Sequence, residues 1–303
     1  MAAALVKDLI DSGIHFGHRV SRWNPKMKPY IFGKRNLIHI INVKETLRGL
    51  LLAKKFLAQL AVGGKDVLFV GTKRQAQKSV QEHATRVGMH WVTDRWIGGT
   101  LTNFREIRKR VGRLDQLEQM DADGLLDAYS KKEGASLRRE MRNIRRNLGG
   151  IRKMDRLPGA LVVIDQRREI IAVREANKLK IPVVCMLDTD SDPDLVDIPI
   201  PANDDAMRGI EIVVAQLADA VAEGLGLRAK RGEVEEKPAP KRRSRRATTA
   251  RAEEAPQDKA APGPAAPEEA ADRTGPDPSD KPEQPAAPAE QAPAEPAGEA
   301  EQL

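Results

Sequence analysis

The sequence predicts an α/β protein whose mainly parallel sheet is covered on both faces by helices. Short apolar runs bounded by turn residues recur at Val67–Val70, Leu161–Ile164 and Ile181–Leu187. Stretches with apolar residues at three- and four-residue steps lie between them. Strands alternating with helices require right-handed crossovers, which place helices on both sides of a parallel sheet.

Val67-Leu-Phe-Val70 reads as a buried strand that ends in a turn at Gly71. Ala76, Val80, Ala84 and Val87 then share one helix face, stopped by Gly88. Trp91 and Val92 suggest a short second strand. Leu161–Ile164 is a third, introduced by Pro158-Gly159 and closed by Asp165. Residues 168–180 read as a helix with Ile171, Glu175 and Leu179 at helical spacing, and residues 181–187 as a strand. After a polar loop and Ile198-Pro-Ile-Pro201, a last helix is predicted from about Asp205 to Glu223.

Residues 104–150 break this rhythm. Phe104, Ile107, Val111, Leu114 and Leu117 form one narrow apolar seam, and Leu137, Met141, Ile144 and Leu148 form another. Such seams bury best against each other, as an antiparallel helical hairpin. Asn103 with Glu106 suggests a capping box at its start, and Gly149-Gly150 a stop. Outside the seams lie Arg105, Arg108 and Lys109, then Arg138, Arg139, Arg142, Arg145 and Arg146. Within nine residues the second helix sets five arginines against a single acid, Glu140, so self-repulsion disfavours a face that meets only water. RNA is the expected partner of these side chains, with a solvated amphipathic hairpin as the competing account.

Charge divides the chain. The 71 residues from Glu233 hold 10 basic and 16 acidic residues, which leaves 41 and 28 in the rest, a net of +13. A body this basic favours phosphate backbones. Beyond Arg231 the sequence turns to Pro, Ala and Glu with few large apolar residues, which predicts a disordered tail over 231–303. Its basic cluster, Lys241 to Arg246, reads as solvated or in weak contact. The expected organisation is an α/β domain over 1–103 and 151–230 that begins with an extended arm, a hairpin over 104–150, and the tail. Cys185, the one cysteine, lies among apolar residues and reads as core. Lys7 and Asp8 interrupt any secretory apolar region, and no charge-free run could span a bilayer, so the expected location is cytoplasmic.

Arg22-Trp-Asn-Pro-Lys-Met-Lys-Pro-Tyr30 interleaves Trp23 and Tyr30 with Arg22, Lys26 and Lys28, a mixture suited to bases and phosphates. Lys73 and Arg74 follow a strand end, where α/β sheets usually bind ligands, yet no glycine-rich nucleotide motif surrounds them. RNA phosphate is the expected contact there. Asp188-Thr-Asp-Ser-Asp-Pro-Asp194 resembles a calcium loop but has Pro193 where the EF-hand needs glycine. Asp188, Asp204 and Asp205 could still share Mg²⁺, against the plainer role of capping turns and a helix. His15 and His18 lack a nearby third metal ligand. No nucleophile elbow, zinc-protease helix or paired-cysteine motif occurs. The patterns therefore require no cofactor, small-molecule substrate or membrane.

Several strings together resemble the bacterial small-subunit ribosomal protein S-two family. They are His15-Phe-Gly-His18, Trp23 to Pro29, Phe69 to Arg74, Arg95-Trp-Ile-Gly-Gly99 with Leu101-Thr-Asn103, and Leu148-Gly-Gly-Ile151. Ala160 to Asp165, Asp188 to Asp194 and Ala202-Asn-Asp-Asp205 complete an ordered set over about residues 5–225. The resemblance implies a flavodoxin-like domain with an inserted hairpin, in contact with ribosomal RNA where the head of the small subunit meets its body. It also implies a role in docking the large multi-domain mRNA-binding ribosomal protein, and it carries over no catalytic residue. Family RNA contacts are spread out, and Arg22, Lys26, Lys28, Lys73, Arg74, Arg95 and the hairpin arginines are the expected ones here. The two rivals are a nucleotide-dependent enzyme on the same fold and a nucleic-acid regulator acting outside the ribosome.

Overall fold

The computed structural model describes residues 2–235, and the rest of the expected tail lies outside the described residues. Five parallel strands form the main sheet: β4 (Val67–Val70), β5 (His90–Val92), β6 (Ala160–Ile164), β7 (Val183–Leu187) and β8 (Ile198–Pro201). Their order is β5-β4-β6-β7-β8, one of the two common doubly wound arrangements, with the chain reversing direction across the sheet between β4 and β6. Continuous apolar runs form the three inner strands because helices cover both of their faces. β8 holds Pro199 and Pro201 because it is an edge strand, where a missing N–H breaks no ladder.

The side-chain period of two sorts these strands between two cores. Val67, Phe69, Val162, Ile164, Val184 and Met186 face α2 (Val43–Val62), α3 (Gln77–Arg86) and α7 (Met207–Glu235). Leu68, Val70, Leu161, Val163, Cys185 and Leu187 face α4 (Phe104–Ala122), α5 (Lys131–Leu148) and α6 (Ile170–Lys178). Cys185 is fully buried, as expected for core. Past the sheet contact, α4 and α5 pack on one another through Leu114, Leu117, Met141 and Ile144.

Four expectations need correction. The N-terminal region is not an extended arm. It forms α1 (Ala2–Asp11), an antiparallel sheet of β1 (Phe16–Arg19), β2 (Ile31–Arg35) and β3 (Ile38–Ile41), and the 20-residue α2. The helix at 168–180 begins at Ile170 and is turned differently: Ala172, Val173 and Ala176 face the core while Ile171 is 53% exposed. Asn103 makes no side-chain cap; a serine cap forms instead at α5, where Ser130 Oγ accepts from the Glu133 amide at 3.4 Å and donates to the Glu133 carboxylate at 2.7 Å. The last helix runs 12 residues beyond Glu223, to Glu235.

Candidate nucleic-acid interface

The segment 20–30 is wound into two short 3₁₀ turns, Val20–Arg22 and Pro25–Tyr30. The Asn24 carboxamide accepts from the Lys26 amide at 3.0 Å, and the Asn24 amide donates to the Thr189 carbonyl at 2.8 Å. Met27 anchors the turn in the core below, and Tyr30 packs against the same core. Trp23 lies with its ring centroid 5.1 Å from that of His39. Arg22 and Lys28 are exposed and carry no ion pair among the described residues. Lys26 is engaged, with Asp192 at 2.9 Å and Asp194 at 2.6 Å. Arg22, Trp23, Gln166, Arg167, Asp190 and Asp192 contribute to the lining of an open cleft of about 1020 Å³. Arg167, which no sequence pattern singles out, pairs with Asp190 at 2.9 Å across it.

At the carboxyl edge of the sheet the charges are turned inward. The Lys73 ammonium is buried, 2.8 Å from Asp204, 2.6 Å from Asp205 and 3.7 Å from Asp165. Burial disfavours its charge, but hydrogen bonds to Asp204 and Asp205 outweigh that and raise its pKa. It lies inside the fold as a counter-ion, not at a surface open to phosphate. The Thr72 amide, which a nucleotide loop would leave free, donates to buried Glu169 at 3.0 Å. Arg74 alone of this group is exposed and without an ion pair among the described residues. Burial, then the charges of Asp165 and Asp188, push the Asp204 carboxyl up to about 7, against the pull of Lys73. Asp188 pairs with His18, Nδ1 to Oδ2 at 2.9 Å, and that hydrogen bond is the main reason the imidazole is raised to about 9. Of the three expected metal ligands, Asp188 and Asp204 thus come together with His18, while Asp205 is exposed and turned onto Lys73.

On α4 and α5 the arginines fall into two sets. Arg145 pairs with Glu118 at 2.8 Å, and Arg108 with Asp155 at 2.7 Å. Arg138 meets Asp121 and Asp127, Arg146 meets Asp94 at 3.9 Å, and Lys109 meets Glu106 at 2.6 Å. Acids supplied by α4 and the loops therefore relieve much of the repulsion that the α5 sequence alone implies. Arg105, Arg139 and Arg142 are exposed and unpaired among the described residues, and so is Arg110.

Arg95 and Arg105 flank a loop that is fastened from below. The Glu175 carboxylate accepts from the Gly99 amide at 2.8 Å, the Leu101 amide at 3.0 Å, the Thr102 amide at 3.1 Å and Trp96 Nε1 at 3.1 Å. Burial raises this carboxyl group's pKa, yet the donors overcome it and hold the group below its ordinary value. Arg95, on that loop, is exposed and unpaired among the described residues. No described helix is long and apolar enough to cross a membrane.

Comparison with known proteins agrees with these features. The model of the family described as ribosomal protein S2 matches residues 9–224. The small ribosomal subunit protein uS2 of Rhodopirellula baltica is 56% identical over 226 residues, which cover 75% of this chain and 87% of that protein. The chain belongs to the ribosomal protein S2 family and is a structural, non-enzymatic component of the small subunit, in the cytoplasmic ribosome.

Proposed function

We propose that this chain holds small-subunit ribosomal RNA by distributed phosphate neutralisation from a rigid α/β scaffold, and that it helps seat a neighbouring protein. The observation that carries the first part is the set of exposed, unpaired basic side chains. Arg22 and Lys28 lie on the N-terminal turns, Arg74 and Arg95 on strand-end loops, and Arg105, Arg139 and Arg142 on α4 and α5. Each contact adds modestly by releasing counterions, and the scaffold keeps the contacts in register. In this reading α4 and α5 are an inserted antiparallel hairpin, its paired arginines joining the helices and its unpaired ones meeting RNA.

The docking part is supported by an apolar groove of about 390 Å³, to which Val6, Ile10, Phe32, Ile40, Val43 and Leu47 contribute. Phe32 is 80% exposed and Leu37 77%, the latter also at a positive φ of 60° that a leucine rarely adopts. Exposed apolar surface of this kind marks interaction sites. We assign the groove to the large mRNA-binding ribosomal protein, at the junction of head and body.

Small subunits depleted of this protein test the RNA reading. Rebinding of the purified chain is measured across a salt series. If each of the seven basic groups named here meets a phosphate, log K falls against log salt with a slope of roughly −5 to −6. The triple variant Arg105→Ala, Arg139→Ala, Arg142→Ala is expected to flatten that slope by about 2 to 3. A variant that rebinds like the parent at every salt concentration removes α4 and α5 from the RNA surface.

A further inference from the structure

We infer that the hollow between Trp23 and His39 takes one unstacked base of single-stranded RNA. The indole is its stacking face, an imidazole nitrogen meets its edge, and Lys28 and Lys34 meet the adjoining phosphates. This deepens the RNA reading above and rests on it. The hollow measures about 240 Å³ and is lined by these four side chains together with Ile31 and Gly33. Pockets for drug-sized ligands begin at about 300 Å³, so there is room for one ring system while sugar and phosphate stay outside.

His39 is the residue that points to a ligand. It takes an inward position on β3, beside Ile41, where an apolar side chain would serve the fold better. It is 7% exposed, and neither ring nitrogen has a hydrogen-bond partner among the described residues. An imidazole carries a donor and an acceptor, and buried groups of both kinds are normally satisfied. Elsewhere in the fold His18 Nδ1 meets Asp188 at 2.9 Å, and His90 Nε2 lies 4.0 Å from Asp66. Among the described residues, His39 is the one histidine with both nitrogens buried and unpartnered. The edge of a nucleobase offers the donors and acceptors that this ring lacks.

Trp23 supplies the face and the way in. Its ring stands against His39 with centroids 5.1 Å apart and planes inclined by 40°. Trp23 is half-buried and also lines the open cleft of about 1020 Å³ next to it, so the indole has space to turn and admit a base against His39. Bases splayed out of single-stranded RNA stack on aromatic side chains in this manner, whatever their sequence.

Charge places the backbone of the ligand. Lys34 on β2 lies directly opposite His39 in the β2–β3 ladder, and Lys28 lies on the second 3₁₀ turn. Both are exposed and carry no ion pair among the described residues, whereas Lys26 in the same turn is held by Asp192 and Asp194. Two free ammonium groups at the mouth of an aromatic hollow suit a nucleotide better than an apolar peptide side chain. The bases of a duplex are stacked and paired, so the ligand is a loop, a bulge or a strand end.

The test is rebinding of the full chain to depleted small subunits across the salt series. Stacking and a hydrogen bond to a base release no counterions, so the hollow and the phosphate contacts leave different marks. Trp23→Ala is expected to lower rebinding roughly 5- to 150-fold at every salt concentration, with the slope of the parent. Collapse of the turns would take Arg22 and Lys28 with it and flatten the slope, which would overturn the inference. Lys28→Gln should flatten the slope by about 1. His39→Phe keeps an aromatic ring without the nitrogens and should also weaken rebinding, while His39→Gln, which keeps a donor and an acceptor, should recover part of it. Parental rebinding by Trp23→Ala or by His39→Phe overturns the inference, and the exposed position of the Trp23 turn keeps the test decisive if His39→Phe does not fold. A parent that rebinds without a salt slope overturns the phosphate reading instead, and the ratio of variant to parent still judges the hollow.

Discussion

Replacing Glu175 with alanine isolates what one buried carboxylate contributes to the loop that presents Arg95 and leads into Arg105. The side chain is 8% exposed and accepts from Trp96 Nε1 and from the amides of Gly99, Leu101 and Thr102. Trp96 and Leu101 are buried, so their donors cannot turn to water when the carboxylate is removed. Each orphaned buried donor costs about 1–3 kcal/mol, which gives about 4 kcal/mol for the two. For a domain of this size that corresponds to a thermal midpoint lower by roughly 8–16 °C. Glu175→Gln keeps one accepting oxygen but turns an NH₂ against the remaining donors, so it is expected to fall between parent and alanine. The effect should also depend on pH. The folded-state pKa lies below the unfolded value, so the stabilisation is complete above the unfolded pKa of about 4.3 and is lost as pH falls through the folded one. The gap between parent and Glu175→Ala should therefore be widest near neutrality and close in acid. Scanning calorimetry at pH 7 and at about pH 3 checks both parts. A midpoint within about 2 °C of the parent at pH 7 would show that the loop finds other acceptors, and the reasoning would fail.

Three further substitutions separate internal charges from available ones. Lys73→Met removes the ammonium shared by Asp204, Asp205 and Asp165 and should cost about 3–5 kcal/mol in denaturant unfolding. Unchanged stability with weakened subunit rebinding would instead return Lys73 to the RNA surface. Arg145→Glu faces Glu118 across an exposed pair and should cost about 1 kcal/mol or less. Arg142→Glu should leave stability alone and reduce rebinding, and equal effects of the two on rebinding would erase the distinction between paired and free arginines. Gly150→Ala would bring a Cβ to 2.1 Å from the Trp91 carbonyl oxygen and 2.4 Å from its ring. Overpacking against backbone of this kind should cost about 3 kcal/mol in thermal unfolding, and an unperturbed variant would mean that the end of α5 is not seated on β5.

The sheet was legible because its inner strands are apolar on both faces, which leaves the short continuous runs at β4, β6 and β7. α6 was legible as a helix but not in its facing. Glu175 is buried by its donors while Ile171 points to water, so a satisfied carboxylate inverts the usual reading of an apolar face. The N-terminal sheet was hidden for a different reason. β2 and β3 join through Asn36 and Leu37, at φ 48° and 60°, a turn that usually announces itself by Asn-Gly. α2 did carry its signal, in Leu50, Ala53, Leu57 and Ala61 behind an Asn42 cap. The prolines and charges of residues 22–30 suggest an extended segment and mask these flanking elements.

For the site, the sequence gives the amount of positive charge and the fold decides how much of it remains free. Arg145 looks uncompensated along α5 until α4 brings Glu118 to it, and Lys73 looks like a phosphate ligand until Asp204, 131 residues away, closes on it. Long-range pairing of this sort has no period and no motif, so residue counting overstates the positive charge left free. The same folding that pairs Lys73 and Arg145 internally holds the unpaired side chains in place. Internal ion pairs at the strand ends and between α4 and α5 fix the loops and helices on which Arg74, Arg95, Arg105, Arg139 and Arg142 stand. If RNA is held as proposed, by the position of many weak contacts, the scaffold needs both populations, one to set the geometry and one to meet the phosphates.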